Sequence, residues 1–344
     1  MTIYDISEKA GVSIATVSRV LNGSSSVSER TRQKVLDTIE QYGYTPNAFA
    51  RGLGLNTMKT IGIMCADSSD LYLAKAVYYI EQKLRAHGYD SLLCCTGYEL
   101  ESKAASMDLL ITKKVDSIIL VGSNFVYEKE QDNRYIAEAA AQIPVMLLNA
   151  SFDAPNVYSV LSDDYTSIYK ATRQMRAGGI EDILYFYNSD SYSGKRKLSG
   201  FLAAMEQAIP GTGPLVEFYP GSHEDIHAMI RHLEAVREKG RGFHGVIAAD
   251  DTLALAAVKY ARAAGYRIPE EFSAIGYNNS MLTGCCEPEL TSIDNRLETL
   301  CQHLITTLLG ILEGREMPKK TVFSGEIIER GTTRRLRGGT KQNS

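Results

Sequence analysis

The sequence predicts two architectures in tandem: a small all-α domain, then an α/β core of two doubly wound parallel-sheet subdomains. Three observations predict it. The first 43 residues carry capped, amphipathic helix signals separated by a Gly-containing turn. From Thr60 onward apolar strands alternate with amphipathic helices, the pattern of parallel sheets covered on both faces. The units are too many for one small sheet, and 344 residues at 44% hydrophobic content suffice for more than one domain.

In chain order, Thr2 and Asp5 have the spacing of an N-cap and its N3 partner, and Ile3, Ile6 and Ala10 form an apolar stripe at helical period. Gly11 supplies a turn, Ser13 caps a second helix, and Val12, Val17, Val20 and Leu21 face the first. The opposite side aligns Ala15, Ser18, Arg19 and Asn22, with Ile14 at the exposed N-terminal end. Such groups suit a DNA major groove. Arg19 can donate to O6 and N7 of a guanine, Thr16 and Ser18 can bind phosphate, and Ile14 and Ala15 can touch thymine methyls. The plainer alternative is the solvated face of an ordinary helical hairpin. Ser28 then caps a third helix, Glu29 to Tyr42, in which Val35, Leu36, Ile39 and Tyr42 complete a three-helix core; Gly43 ends it.

Beyond Thr60, Ile61-Gly-Ile-Met-Cys precedes a helix from about Leu71 to Ala86, and Ser91-Leu-Leu-Cys-Cys precedes one from Glu101 to Thr112. Later strands begin at Val115, Val145, Ile183, Leu215, Gly245 and Phe272. A ligand is expected in the cleft between the two subdomains, at the C-terminal strand ends.

Residues 1–60 hold seven Lys/Arg against five Asp/Glu, leaving 30 against 36 for the remainder. The slight basic bias marks the N-terminal module as the DNA-facing part. There is no GxGxxG after a strand, no GxxxxGK[ST] and no GxSxG, the usual marks of cofactor or nucleophile chemistry on such sheets, so no enzyme and no cofactor is expected. Of the paired carboxylates Asp163-Asp164 and Asp250-Asp251, one member is expected to cap a helix and the other to reach the cleft. His223-Glu-Asp-Ile-His227 fits the HExxH zinc pattern, but Ser222 with Asp225 reads as a capping pair, which puts the motif in a helix's first turn; no metal is expected. The six cysteines include the neighbours Cys94-Cys95 and Cys285-Cys286 and lack CxxC spacing, so they read as buried reduced thiols. No signal peptide or apolar run of spanning length precedes the first helix, and a cytoplasmic location is expected.

Asp5-Ile, Val12-Ser-Ile-Ala-Thr-Val-Ser-Arg-Val-Leu-Asn-Gly, Val27-Ser, Thr31-Arg, Gly43-Tyr-x-Pro-Asn-Ala and Ala50-Arg-x-Leu together resemble the LacI/GalR family of bacterial transcription repressors. Asp116-Ser-Ile-Ile-Leu-Val-Gly-Ser-Asn, Gly200-Phe-Leu-Ala-Ala, Ala249-Asp-Asp-Thr-Leu-Ala-Leu, Ile275-Gly-Tyr-Asn-Asn and Leu290-Thr-Ser-Ile-Asp extend the resemblance, through that family's periplasmic-binding-protein-like core, over nearly the whole chain.

The resemblance implies a helix-turn-helix domain at 1–45, a hinge helix or linker at 46–58, a core N-subdomain at 59–161 with 293–321, and a C-subdomain at 162–292 with 322–344. The three crossings would fall near Leu161, Ile293 and Thr321. It further implies DNA contacts from Tyr44, Asn47 and Ala50, and a Leu53 wedge that unstacks a minor-groove step. With Gly52 and Gly54 beside it, so short a helix is expected to order only on DNA.

Effector contacts are implied for Tyr72, Asn124, Asn149, Asp163, Lys197, His223, Asp250 and Asn278. Relatives often carry Asp where Asn149 and Asn278 stand, and Arg where Lys197 stands, so the ligand differs in donors or charge. The whole implies a homodimeric repressor of a carbohydrate-utilisation operon that binds a palindromic operator and is controlled by a sugar-like effector. The absence of a terminal leucine heptad favours a dimer over a tetramer. Its rivals are a periplasmic-type sugar-binding protein without DNA function, which would need an export signal, and an HExxH zinc hydrolase.

Overall fold

The computed structural model describes residues 1–44, 57–206, 214–222, 224–240 and 242–334. Its N-terminal part is three helices, α1 (Ile3–Ala10), α2 (Ile14–Leu21) and α3 (Glu29–Gln41). A capping box opens α1: the Thr2 amide donates to Asp5 Oδ2 at 2.7 Å and the Asp5 amide donates to Thr2 Oγ1 at 3.4 Å. Such a cap is worth about 1 kcal/mol. Gly11 takes the left-handed conformation (φ +58°) that turns the chain into α2, where the Ser13 hydroxyl accepts from the Thr16 amide at 3.2 Å.

Ile6, Ala10, Val17, Val20 and Val35 are buried together, with Ile3, Val12, Leu21 and Ile39 against them. Leu36 and Tyr42, expected in this core, are instead 42% and 40% exposed. Leu36 lies a hundred degrees round the helix from Val35, and Tyr42 is the C-cap beyond the last turn. Thr38 takes the inward place, its hydroxyl donating to the Lys34 carbonyl at 2.8 Å.

The remainder is two lobes. The first contains β1 (Thr60–Cys65), α4 (Leu71–Ala86), β2 (Asp90–Cys95), α5 (Leu100–Thr112), β3 (Ser117–Val121), α6 (Arg134–Ala140), β4 (Val145–Leu148) and β5 (Val157–Ser162). The second contains α7 (Asp164–Ala177), β6 (Ile183–Tyr187), α8 (Tyr192–Met205), β7 (Leu215–Phe218), α9 (Ile226–Glu238), β8 (Gly245–Ala248), α10 (Asp251–Ala263), β9 (Ser273–Tyr277) and β10 (Thr291–Asp294). The chain then returns to the first lobe for α11 (Leu297–Leu312) and β11 (Lys320–Phe323), and crosses again for β12 (Glu326–Ile328).

The sheets run β11-β5-β4-β3-β1-β2 and β12-β10-β9-β8-β6-β7. All neighbours are parallel except β12, which pairs antiparallel with β10 at the second sheet's edge.

Alternation along the strands divides the first lobe's core. Ile61, Ile63, Cys65, Ile119 and Val121 pack with α4 and α11, whereas Met64, Ile118 and Leu120 pack with α5 and α6 on the other face. The crossings fall slightly later than expected. Val322 and Phe323 pair with Leu161 and Ser162 in the first sheet, and Ile293 pairs with Tyr277 in the second, so the chain changes lobes after Ser162, Asp294 and Phe323. The thiols also depart from the expectation: Cys65 and Cys301 are buried, but Cys95 on edge strand β2 and Cys285 in a surface turn are exposed.

Candidate functional site

The outer side of α2 is open. Ile14, Ala15 and Arg19 are exposed, and the Arg19 guanidinium makes no hydrogen bond or ion pair among the described residues. Thr16 Oγ1 lies 2.9 Å from Ser13 Oγ, still half accessible. Asn22 is the C-cap of α2; its Nδ2 donates to Ser18 Oγ at 3.5 Å, while its Oδ1 is buried without a hydrogen-bond partner among the described residues. Tyr44 packs half-buried against the three-helix core and its amide donates to the Ile39 carbonyl. Asn47, Ala50 and Leu53, with hinge residues 46–56, lie outside the described residues, as does His223; Thr57 and Met58 at the end of the hinge donate to the Asp116 carboxylate at 2.9 Å.

The second cluster stands where the C-terminal strand ends of the two lobes meet. Tyr72 sits in the first turn of α4, positioned by the Asp70 cap, whose Oδ1 accepts from the Leu73 amide at 2.8 Å. Asn149 follows β4 in the left-handed region (φ +61°), which Asn tolerates better than most residues. Its Nδ2 donates to the Tyr72 hydroxyl and its Oδ1 accepts from the Ser162 amide at 3.2 Å, the point of crossing. Asn278 (φ +93°) follows β9 and accepts at 3.1 Å from Asn295 Nδ2; the Asn295 side chain also meets the Tyr72 hydroxyl.

Lys197 is a buried cation of the second lobe. It lies on α8, which approaches α7 so closely that a Cβ at Gly200 would stand 2.3 Å from the Tyr165 carbonyl oxygen. Its ammonium donates to the Ala249 carbonyl at 2.9 Å and stands 3.7 Å from the centroid of the Tyr277 ring. The Tyr277 hydroxyl donates in turn to Asp164 and lies 3.3 Å from Ser162 Oγ. Burial pushes the Asp164 carboxyl up and the Lys197 ammonium down, and their mutual attraction opposes both shifts.

In each acidic pair the first residue is the cap. Asp163 Oδ1 accepts from the Thr166 amide at 3.2 Å, and Asp250 Oδ1 from the Leu253 amide at 2.9 Å. The second residue is buried: Asp164 against Tyr277, and Asp251 beneath the Ser292 hydroxyl (2.5 Å) and the Ser280 amide (2.6 Å). Burial raises the Asp251 carboxyl to about 6.

The structure thus brings Tyr72, Asn149, Lys197 and Asn278 around one junction and assigns Asp163 and Asp250 to helix starts. Asn124 contributes a carbonyl that accepts from Lys103. Asp225, not Ser222, caps α9 by accepting from the Ala228 amide at 2.8 Å, which leaves His227 in that helix's first turn. Sequence reasoning missed Ser162, Tyr277 and Asn295. Their signal was position alone, a polar atom on the last residue of a strand or just past it.

Residues 2–47 match the bacterial regulatory proteins of the lacI family, and residues 172–333 match the periplasmic binding protein-like domain. An HTH-type transcriptional regulator of Lachnoclostridium phytofermentans is 52% identical over 334 residues, covering 97% of this chain and 99% of that protein. The HTH-type transcriptional repressor PurR of Mannheimia succiniciproducens is 26% identical over 344 residues, with 97% and 99% covered. Among solved structures, the lac repressor dimer bound to operator and the anti-inducer ONPF has a TM-score of 0.85 at 23% identity, covering 97% of this chain and 99% of that one. The transcriptional regulator CelR in complex with cellobiose has a TM-score of 0.67 at 23% identity, covering 96% and 99%.

A helix-turn-helix reader joined to a two-lobed α/β sensor core defines a DNA-binding regulator of the helix-turn-helix class. The chain belongs to the lacI family of bacterial regulatory proteins and is a transcriptional regulator of that family.

Proposed function

We propose that the protein is a cytoplasmic homodimeric repressor of carbohydrate utilisation, which binds a palindromic operator and answers to a sugar or sugar derivative held between its lobes. The observation that carries this reading is the open α2 face, with Arg19 unengaged among the described residues, joined in one chain to a core whose lobes meet at polar strand ends. Each α2 enters a major groove, Arg19 reads one base pair, and Thr16 and Ser18 hold phosphates. Leu53 wedges into the minor groove between the half-sites. The cleft takes its ligand through Tyr72, Asn124, Asn149, Lys197 and Asn278, with Asp163, His223 and Asp250 as further effector contacts.

A second copy covers the apolar edge of the first lobe, where Leu71 and Tyr78 of α4 and Leu92 and Leu93 of β2 are each 40–50% exposed. Asn22, the C-cap of α2, and Tyr44, half-buried against the three-helix core, add further DNA contacts. Sugar chemistry is favoured by planar amides and a tyrosine at the junction, and by structural neighbours solved with cellobiose and with D-xylulofuranose.

The test is a selection of random duplexes at moderate salt, followed by a thermal-shift screen with mono- and disaccharides, sugar acids and phosphates, and release assays on the hits. Enrichment of a two-fold symmetric duplex, released by a screened sugar, is expected. Absence of any preferred duplex, with or without metabolites, overturns the reading.

A further inference from the structure

The segment between β3 and α6 is held with unusual firmness. Lys103 of α5 is only 1% exposed, yet has no carboxylate within ion-pair distance among the described residues; its ammonium donates to the Asn124 carbonyl and to the Tyr127 hydroxyl, both at 2.7 Å. Asn133, 3% exposed, brackets Tyr127, accepting from its amide and donating to its carbonyl, each at 2.8 Å. Tyr135 donates its hydroxyl to the Phe125 carbonyl. Burying a lysine and an amide is unfavourable unless their hydrogen bonds are made, so three buried side chains here are committed to fixing one stretch of backbone.

That stretch projects onto the other lobe at two points. Ser123 Oγ donates to Ser191 Oγ at 2.9 Å, and Ser191 is the N-cap of α8, accepting from the Gly194 amide at 3.2 Å. Glu128 pairs with Lys195 of the same helix at 2.5 Å, and the ammonium holds the Glu128 carboxyl below its ordinary range. Two residues further along α8 lies Lys197.

We infer that residues 122–128 form a clasp between the lobes, that Lys103 is its positioning residue, and that the Ser191 and Lys195 contacts set how readily the cleft opens. A rigid clasp converts two weak surface contacts into a restraint, because the ordering of one partner is already supplied within its own lobe. Loosening it leaves each lobe folded and shifts the equilibrium between closed and open arrangements. The consequence for ligand affinity rests on the reading of the cleft as the effector site; the clasp itself does not.

Hydrogen exchange of the full-length protein, without added metabolite, tests it. Glu128→Gln and Lys195→Met should each speed exchange at the start of α8 and in residues 122–128 by about two- to fivefold, the range of an exposed ion pair. The reversed pair, Glu128→Lys with Lys195→Glu, should return it to within about twofold of the parent. Lys103→Met, which removes the buried donor to the Asn124 carbonyl and the Tyr127 hydroxyl, should speed exchange in 122–128 by about tenfold or more while Lys103→Arg does so less. If Lys103→Met fails to fold, the surface variants decide. Unchanged exchange in both single surface variants, or no recovery in the reversed pair, overturns the clasp. Because no ligand enters the measurement, a failure to find an effector or operator would count against the proposed function alone.

Discussion

The face of α2 and the junction between the lobes use polar residues in opposite ways. On α2, Arg19 projects into solvent without a partner among the described residues, and the apolar positions beneath, Val17 and Val20, do the folding. At the junction no such division exists: Asn149, Tyr72, Lys197, Tyr277 and Asp164 are bonded to one another and to the crossing strands. A surface that reads an external polymer can keep its donors idle, because water satisfies them until the partner arrives. The junction proposed to answer a small molecule has its donors tied to the crossing strands, so a ligand there must exchange one set of bonds for another. Substitutions on α2 should therefore alter recognition and spare the fold, and those at the junction should alter both.

The largest effect should come from Lys197→Met, which removes a buried cation that attracts Asp164, strands the Ala249 carbonyl and strips the Tyr277 ring of its ammonium. Urea unfolding should show a loss of about 1.5–3 kcal/mol, the worth of a buried hydrogen bond made by a charged group. A loss under about 1 kcal/mol would mean that the junction behaves like a surface, and the contrast would dissolve.

Asp251 gives the next largest effect and a direction in pH. Its folded carboxyl is raised to about 6 from an ordinary 3.8, so the stability this group confers is fully present below pH 3.8 and is lost as pH rises through about 6. Between pH 4.5 and pH 7.5 the parent should lose about 2 kcal/mol that Asp251→Asn does not lose. Unfolding of both proteins at pH 4.5 and pH 7.5 checks it; an equal difference between parent and variant at the two pH values would show that burial does not govern this carboxylate.

How much of this was legible before the fold depended on whether a residue's role was local. The Thr2–Asp5 capping box, the Gly11 turn, the Ser13 cap and the span of α4 rest on contacts within a few residues, and propensity plus period reveal them. Leu36 failed because adjacency to Val35 says nothing about the hundred degrees between them on a helix. The acidic pairs were legible as a cap and a second carboxylate expected to reach the cleft, but not as to which member did which, nor that the second would be buried against Tyr277 or Ser292.

Tyr277 was invisible, since its hydroxyl meets Asp164 and Ser162 from 113 and 115 residues away, distances that no local pattern encodes. The lobe boundaries shifted because strand register, not composition, decides where a strand stops. Val322 belongs to the first sheet through its pairing with Leu161.

On the reader side the effects should be smaller and should appear only with DNA. Arg19→Ala is expected to reduce discrimination at a single base pair by about 1–3 kcal/mol while unfolding midpoints stay unchanged; equal weakening at every base position would remove its groove role. Thr16→Ala should do the reverse. Its hydroxyl is shared with the Ser13 cap at 2.9 Å, so part of it is already engaged and the part left for phosphate is modest. Operator and random duplex should both weaken by no more than about 1 kcal/mol, and evenly, because phosphate contacts carry no sequence information. Should Thr16→Ala instead discriminate between duplexes, its hydroxyl would be reading a base edge, and the division of α2 into reading and anchoring positions would have to be redrawn around it.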